Sequence, residues 1–138
     1  MQLTKHTDFA FRTLIYLTMM QDELTTIQKI TDSFAISKSH AMKVVNKLVH
    51  AGWIKAVRGK NGGILLGCDA NKISLKDVIE LMETTMEPVN CDHPPCLIAG
   101  ACRLRGVLWQ AQQQYLNYLA PLTLADLVDS ETSKLING

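Results

Sequence analysis

Apolar residues recur at helical spacing from Asp8 to Met20, where Ala10, Leu14 and Leu17 share one face and Phe11 and Ile15 lie beside it. Thr7 is a suitable N-cap for that helix. A second, shorter helix is predicted from Ile27 to Phe34 with Thr25 or Thr26 as its cap. After the link AIS, a third runs from Lys38 to His50, capped by Ser37 and ended by Gly52. Two short helices joined by a tight link form a helix-turn-helix. The stretch WIKAVRGKNGGILLG then alternates and breaks at RGKNGG, which predicts a hairpin of Trp53–Val57 and Ile64–Leu66 with a Gly-rich tip.

Downstream, Ser74 caps a helix from Leu75 to about Thr84. A turn-rich segment follows, from Glu87 to Ala101. A long helix from Cys102 to Leu119 stops at Pro121. Within it Leu104, Leu108, Ala111, Tyr115 and Tyr118 alternate at spacings of four and three, the seam of a helix that pairs with another copy of itself. Thr123 caps the short stretch TLADLV, and SETSKLING is expected to fray. The fold class is therefore mainly α with a small β-hairpin wing: a winged helix-turn-helix over 1–72, followed by a loop and long dimerisation helix over 73–138.

Around the third helix, Ser39, His40, Lys43, Asn46, Lys47 and His50 fall within an arc of about 120°, with Ala41, Met42, Val45, Leu48 and Val49 opposite. The polar face carries no acid. A solvated surface helix normally mixes Glu and Asp with Lys, and these side chains suit base edges and phosphates in a major groove. In the hairpin tip, Arg58, Lys60 and Asn61 stand among glycines 59, 62 and 63, and such a tip can touch phosphate or enter a minor groove. The charge distribution agrees. Residues 1–60 hold nine Lys/Arg against four Asp/Glu, a net +5, whereas 61–138 hold five against nine, a net −4, although the whole chain is only +1. The DNA-contact candidates are Ser39, His40, Lys43, Lys47, Arg58, Lys60 and Asn61.

With 47% hydrophobic and 20% charged residues the chain has an ordinary globular composition. No stretch reads as a secretory signal or a membrane span, so the cytoplasm is the expected location. Thiols stay reduced there, which gives CDHPPCLIAGAC its interest: three of the four cysteines lie in twelve positions, at Cys91, Cys96 and Cys102. The spacing C-x4-C-x5-C lacks the close ligand pairs usual for structural zinc and the C-x-x-C of thioredoxin-like sites. A soft metal centre suits three thiolates, so an iron–sulfur cluster stands ahead of zinc and of no metal at all, with all three open on spacing alone. His93 reads as a turn or surface residue, and Cys68 as a small buried one. A thiol oxidoreductase or cluster carrier is the competing class, but it needs neither the acid-free helix face nor the wing.

The order MQLTKHTDFAFR, HAGWIKAVRGKNGGILLG, C-x4-C-x5-C-RL and PLTLADLV resembles the iron–sulfur winged-helix regulators over nearly the whole chain, and among them the repressors that sense nitric oxide. The resemblance implies a homodimeric, non-enzymatic repressor on an inverted-repeat DNA operator, holding an iron–sulfur cluster, 4Fe–4S in preference to 2Fe–2S. Its ligands would be Cys91, Cys96 and Cys102 with Asp8 from the partner subunit, and Arg12 would couple to that carboxylate. Nitrosylation or loss of the cluster would release DNA and derepress nitric oxide detoxification genes. The family's cluster-assembly members place a histidine shortly after the third cysteine. Here Arg103, Leu104 and Arg105 follow, which argues against that role. On residues alone, Asp8 would be only an acid favoured at a helix N-terminus.

Overall fold

The computed structural model describes residues 1–137. Helix α1 (Lys5–Met19) starts three residues earlier than its apolar pattern predicts, because Thr4 and not Thr7 is the N-cap: Thr4 Oγ1 accepts the Thr7 N–H at 3.5 Å. Thr7 is instead fully buried. Helices α2 (Ile27–Phe34) and α3 (Lys38–His50) follow with the expected bounds, and their caps Thr26 and Ser37 accept the Lys29 and His40 N–H groups. The link between them turns at Ala35, held at φ 52°, a left-handed conformation more usual for glycine, while Ile36 is buried as its anchor.

Strands β1 (Ile54–Val57) and β2 (Gly63–Leu66) pair antiparallel, Ile54 opposite Leu66 and Val57 opposite Gly63. A third rung comes from Thr25, which exchanges two backbone hydrogen bonds with Ile64 at 3.0 and 2.8 Å. This bridge fixes the wing to the start of α2. It also explains Gly63, where a Cβ would lie 2.4 Å from Thr25 O.

A 3-10 turn (Ala70–Lys72) leads to α4 (Leu75–Met82), then come the cysteine loop, α5 (Arg103–Leu119), a second 3-10 turn (Leu124–Leu127) and α6 (Ser130–Asn137). Ser74 precedes α4 but does not cap it with its side chain; its hydroxyl donates to Ala120 O at 2.9 Å. Thr123 closes a capping box with Asp126. One core runs through all of this: Ala10, Leu14 and Leu17 of α1 meet Val44 and Leu48 of α3, Ile54 and Ile64 of the hairpin, Val78 of α4 and Leu124. Each such aliphatic side chain removed from water contributes about 1.5–3 kcal/mol.

Two further expectations are corrected here. Met42, assigned to the apolar side of α3, is 47% exposed, and Val44 takes the inward position. The tail expected to fray is helical from Ser130 to Asn137, Gly138 lying outside the described residues, because Asp129 caps it: Asp129 Oδ1 accepts the Thr132 N–H at 2.8 Å and the Thr132 hydroxyl at 2.7 Å, while Ile136 reaches the core. Those bonds, the backbone one foremost, hold the Asp129 carboxyl below the usual carboxylate range. A depressed carboxyl contributes its stability above the unfolded value and loses it as pH falls through the folded one. Amide protection factors in α6, taken relative to the intrinsic rate at each pH, should therefore fall at acid pH, and Asp129→Ala should produce the same loss of protection at neutral pH without changing protection in α1.

Candidate DNA interface and cysteine loop

On α3 the polar face is exposed as expected: Ser39, His40, Lys43 and Lys47 all reach the surface. Their surroundings separate them. Ser39 and Lys43 stand on the outer surface. The His40 ring lies 5.9 Å from that of His6, edge to face, and 6.2 Å from Phe9, so it leans on the first turns of α1. Lys47 Nζ donates to Leu81 O at 3.2 Å, at the end of α4. Helical periodicity cannot register that contact, since its two ends are 34 residues apart.

At the wing tip Arg58, Lys60 and Asn61 are exposed. The turn depends on two of its glycines in different ways. Gly59 takes φ 111°, whereas Gly62 sits so close that a Cβ would lie 2.1 Å from Val57 O. Asn61 is not among the positive-φ residues, although it tolerates that region. The exposed polar residues named on α3 and at the wing tip include no acid.

The loop between α4 and α5 is a chain of turns. Asn90 Oδ1 accepts the Asp92 and His93 N–H groups at 3.0 and 3.1 Å, and Cys91 O accepts the Cys96 N–H at 3.0 Å. Further turns close from Cys96 O to Ala99 and from Ile98 O to Ala101. All four cysteines are free thiols; Cys96 is exposed, Cys91 and Cys102 are half-buried, and Cys102 is the N-cap residue of α5. A cleft of about 520 Å³ opens beside Cys102, lined by Met86, Pro88, Arg105, Trp109 and Gln112 among others. The Gln112 side-chain amide donates to Met86 O across it.

Among the described residues no three His, Cys, Asp or Glu side chains converge as a metal site within one chain. Asp8 lies in the first turn of α1, where it accepts from Arg12 Nε at 2.9 Å, both side chains being 44% exposed. The donor set nonetheless fits an iron–sulfur cluster in its chemistry: three unpaired thiols lie on one irregular loop.

Residues 3–130 match the family model described as Rrf2, iron-dependent transcriptional regulator. The chain belongs to the Rrf2 family. Regulators of this family bind DNA and are often dimers, and as transcription regulators they are generally not enzymes. Solved structures agree on the fold. Similar ones include CymR (YrzC), the global cysteine regulator of B. subtilis (22% identical, covering 92% of this chain and 95% of that one, TM-score 0.75), and T. potens IscR (18%, 92% and 85%, TM-score 0.74). The oxidized form of Staphylococcus aureus CymR matches at 24% identity, 94% and 100% coverage and TM-score 0.75. This Rrf2 chain has no helix among its described residues long and apolar enough to cross a membrane.

Of the seam residues, Leu104, Ala111, Tyr115 and Tyr118 are exposed and Leu108 is half-buried, and Val107, not anticipated from the seam pattern, joins the exposed strip at 59%. Only Leu116 of this helix is buried. An exposed apolar strip of this kind marks an interaction surface.

Exposure separates the thiols. Burial pushes the Cys68 thiol up, against a lowering from Lys72, and leaves it a poor nucleophile. In apo protein, iodoacetamide should alkylate Cys96 first and Cys68 last, as read by mass spectrometry of a time course. Labelling of Cys68 ahead of the loop would contradict this geometry.

Proposed function

We propose that this Rrf2 regulator is a homodimeric, cytoplasmic repressor that senses nitric oxide through an iron–sulfur cluster, as the sequence resemblance to the repressor NsrR implies. The observation that carries the reading is the position of the three free thiols. They occupy an exposed loop joining α4, which is packed in the DNA-reading core, to α5, whose apolar seam faces outward. Residues 1–72 form the reading unit and 73–138 the sensing and dimerising unit, with one hydrophobic core shared between them.

Cys91, Cys96 and Cys102 would hold the cluster on one chain, and Asp8 of the partner subunit would supply the fourth ligand. When bound, such a cluster supplies iron centres that react with nitric oxide, and 4Fe–4S is preferred to 2Fe–2S. The rest is done by the chain itself. A carboxylate is a hard ligand and the thiolates are soft ones, so Asp8 is the weakest hold in the set. Its release leaves it with Arg12 on its own helix, and α1 is no longer tied to the partner's loop. Two recognition helices address half-sites about one helical turn apart, so a small change in their spacing disrupts simultaneous docking and derepresses the target genes. Genes for nitric oxide detoxification are the expected targets.

DNA contact falls to Ser39, His40 and Lys43 of α3 and to Arg58, Lys60 and Asn61 of the wing. Lys47 shares that face, with its ammonium turned to Leu81 O. The exposure of Cys96 also supports a second reading, a redox-sensing regulator that works through the thiols alone. It predicts colourless protein whose DNA binding responds to oxidants and ignores nitric oxide.

Lys43→Ala should weaken binding across all sequences and lower the slope of log K against log salt by about one, measured by fluorescence anisotropy. An unchanged slope would remove Lys43 from the interface. Anaerobically purified protein should be coloured and should bind an inverted-repeat duplex that nitric oxide releases, while Cys96→Ala should lose the visible absorption. Colour that survives in Cys96→Ala refutes the ligand set, and binding indifferent to nitric oxide refutes the sensing function.

A further inference from the structure

The end of α4 holds two other helices at once. Leu81 O belongs to the last turn of α4, where carbonyls have no amide one turn ahead to accept from, and Lys47 Nζ donates to it at 3.2 Å. The last turn of α4 carries no basic residue of its own, so the negative end of its dipole receives a cation from α3. Two residues further on, Glu83 Oε1 accepts the Thr4 N–H at 2.9 Å. Thr4 is the N-cap of α1, and its N3 residue is Thr7 in place of the Glu or Gln that would close a capping box. Glu83, the residue that follows α4, supplies that carboxylate at the positive end of α1. The bonds from Lys47 and to Glu83 therefore fasten the recognition helix and the Asp8 helix to one point. The cysteine loop begins directly after it.

We infer that Lys47 and Glu83 are positioning residues: together they form a clasp at the α4 terminus that sets α3 relative to α1 and passes movement of the cysteine loop to both. Lys47 acts within its own chain and contributes to DNA binding by where it holds α3. The clasp stands on the two bonds themselves, and its role in signalling rests on the proposed sensing function. The rival assignment makes Lys47 a phosphate contact. The two differ in one quantity, because a lysine that neutralises a phosphate contributes about one to the salt slope and an intramolecular strut contributes nothing.

Full-length protein, in its cluster-loaded form and as Cys96→Ala, is titrated over a salt series against a duplex selected by the wild type from a randomised pool. Lys47→Met, which keeps most of the apolar stem, and Glu83→Gln are compared with Lys43→Ala in both forms. The clasp predicts that each of the first two shrinks the affinity ratio between loaded and Cys96→Ala protein by about two- to fivefold, the scale of a charge at a helix terminus, with the salt slope unchanged. A slope lowered by about one for Lys47→Met with the ratio intact overturns the assignment. Amide exchange in the Cys96→Ala background is the second readout. Lys47→Met and Glu83→Gln should speed exchange in the first turn of α1 and at Leu81–Glu83, where Lys43→Ala leaves it unchanged, and no acceleration there overturns the clasp. A wild-type ratio of one refutes the sensing function and leaves the clasp to be decided by exchange alone.

Discussion

Ala10, Leu14 and Leu17 expose at most 1% of their surface, and around that stripe α3, α4, the hairpin and the Leu124–Leu127 turn close into a single core. Burial of one face of α1 is the constraint on which the remainder depends. The recognition helix packs on α1, β2 meets it, and α4 reaches the cysteine loop from it. Removing that stripe would leave cavities shared by every one of these elements.

The other faces of α1 are then free for chemistry. Asp8 and Arg12 lie one turn apart on its exposed side, and His6 and Phe9 brace His40 of the recognition helix. A helix is thus fixed in the core on one side and carries an ion pair on the other. Movement of its exposed end cannot be absorbed by the close-packed stripe and must appear as displacement of its neighbours. The wing is fastened to the same frame through the Thr25–Ile64 bridge.

Much of this was legible because its causes are local. The bounds of α2 and α3 follow from Thr26 and Ser37, each a cap directly ahead of periodic apolar residues, and the acid-free face of α3 is exposed as its spacing requires. Where the reading strayed, two local signals competed. Thr4 and Thr7 both suit an N-cap, and Lys5 and His6 carry no apolar signal, so the start of α1 was displaced. The tail lacks periodicity, yet Asp129 with Thr132 starts a helix that Ile136 docks. The candidate site divides in the same way. The three loop cysteines and the basic residues of α3 and the wing stand out in the sequence, while the role proposed for Asp8 rests on resemblance, since one acid in a first turn is ordinary on its own.

By itself the sequence determined the helices, the hairpin, the apolar stripe of α1, the basic recognition face and the clustered thiols, for each depends on residues within a turn or two of one another. Only the tertiary structure decided which distant groups meet. Lys47 finds Leu81 O across 34 residues, and Thr4 finds Glu83 across 79. Any helix end leaves unpaired carbonyls and amides, and which ammonium or carboxylate completes them is set by how the helices pack, a choice that local spacing does not record.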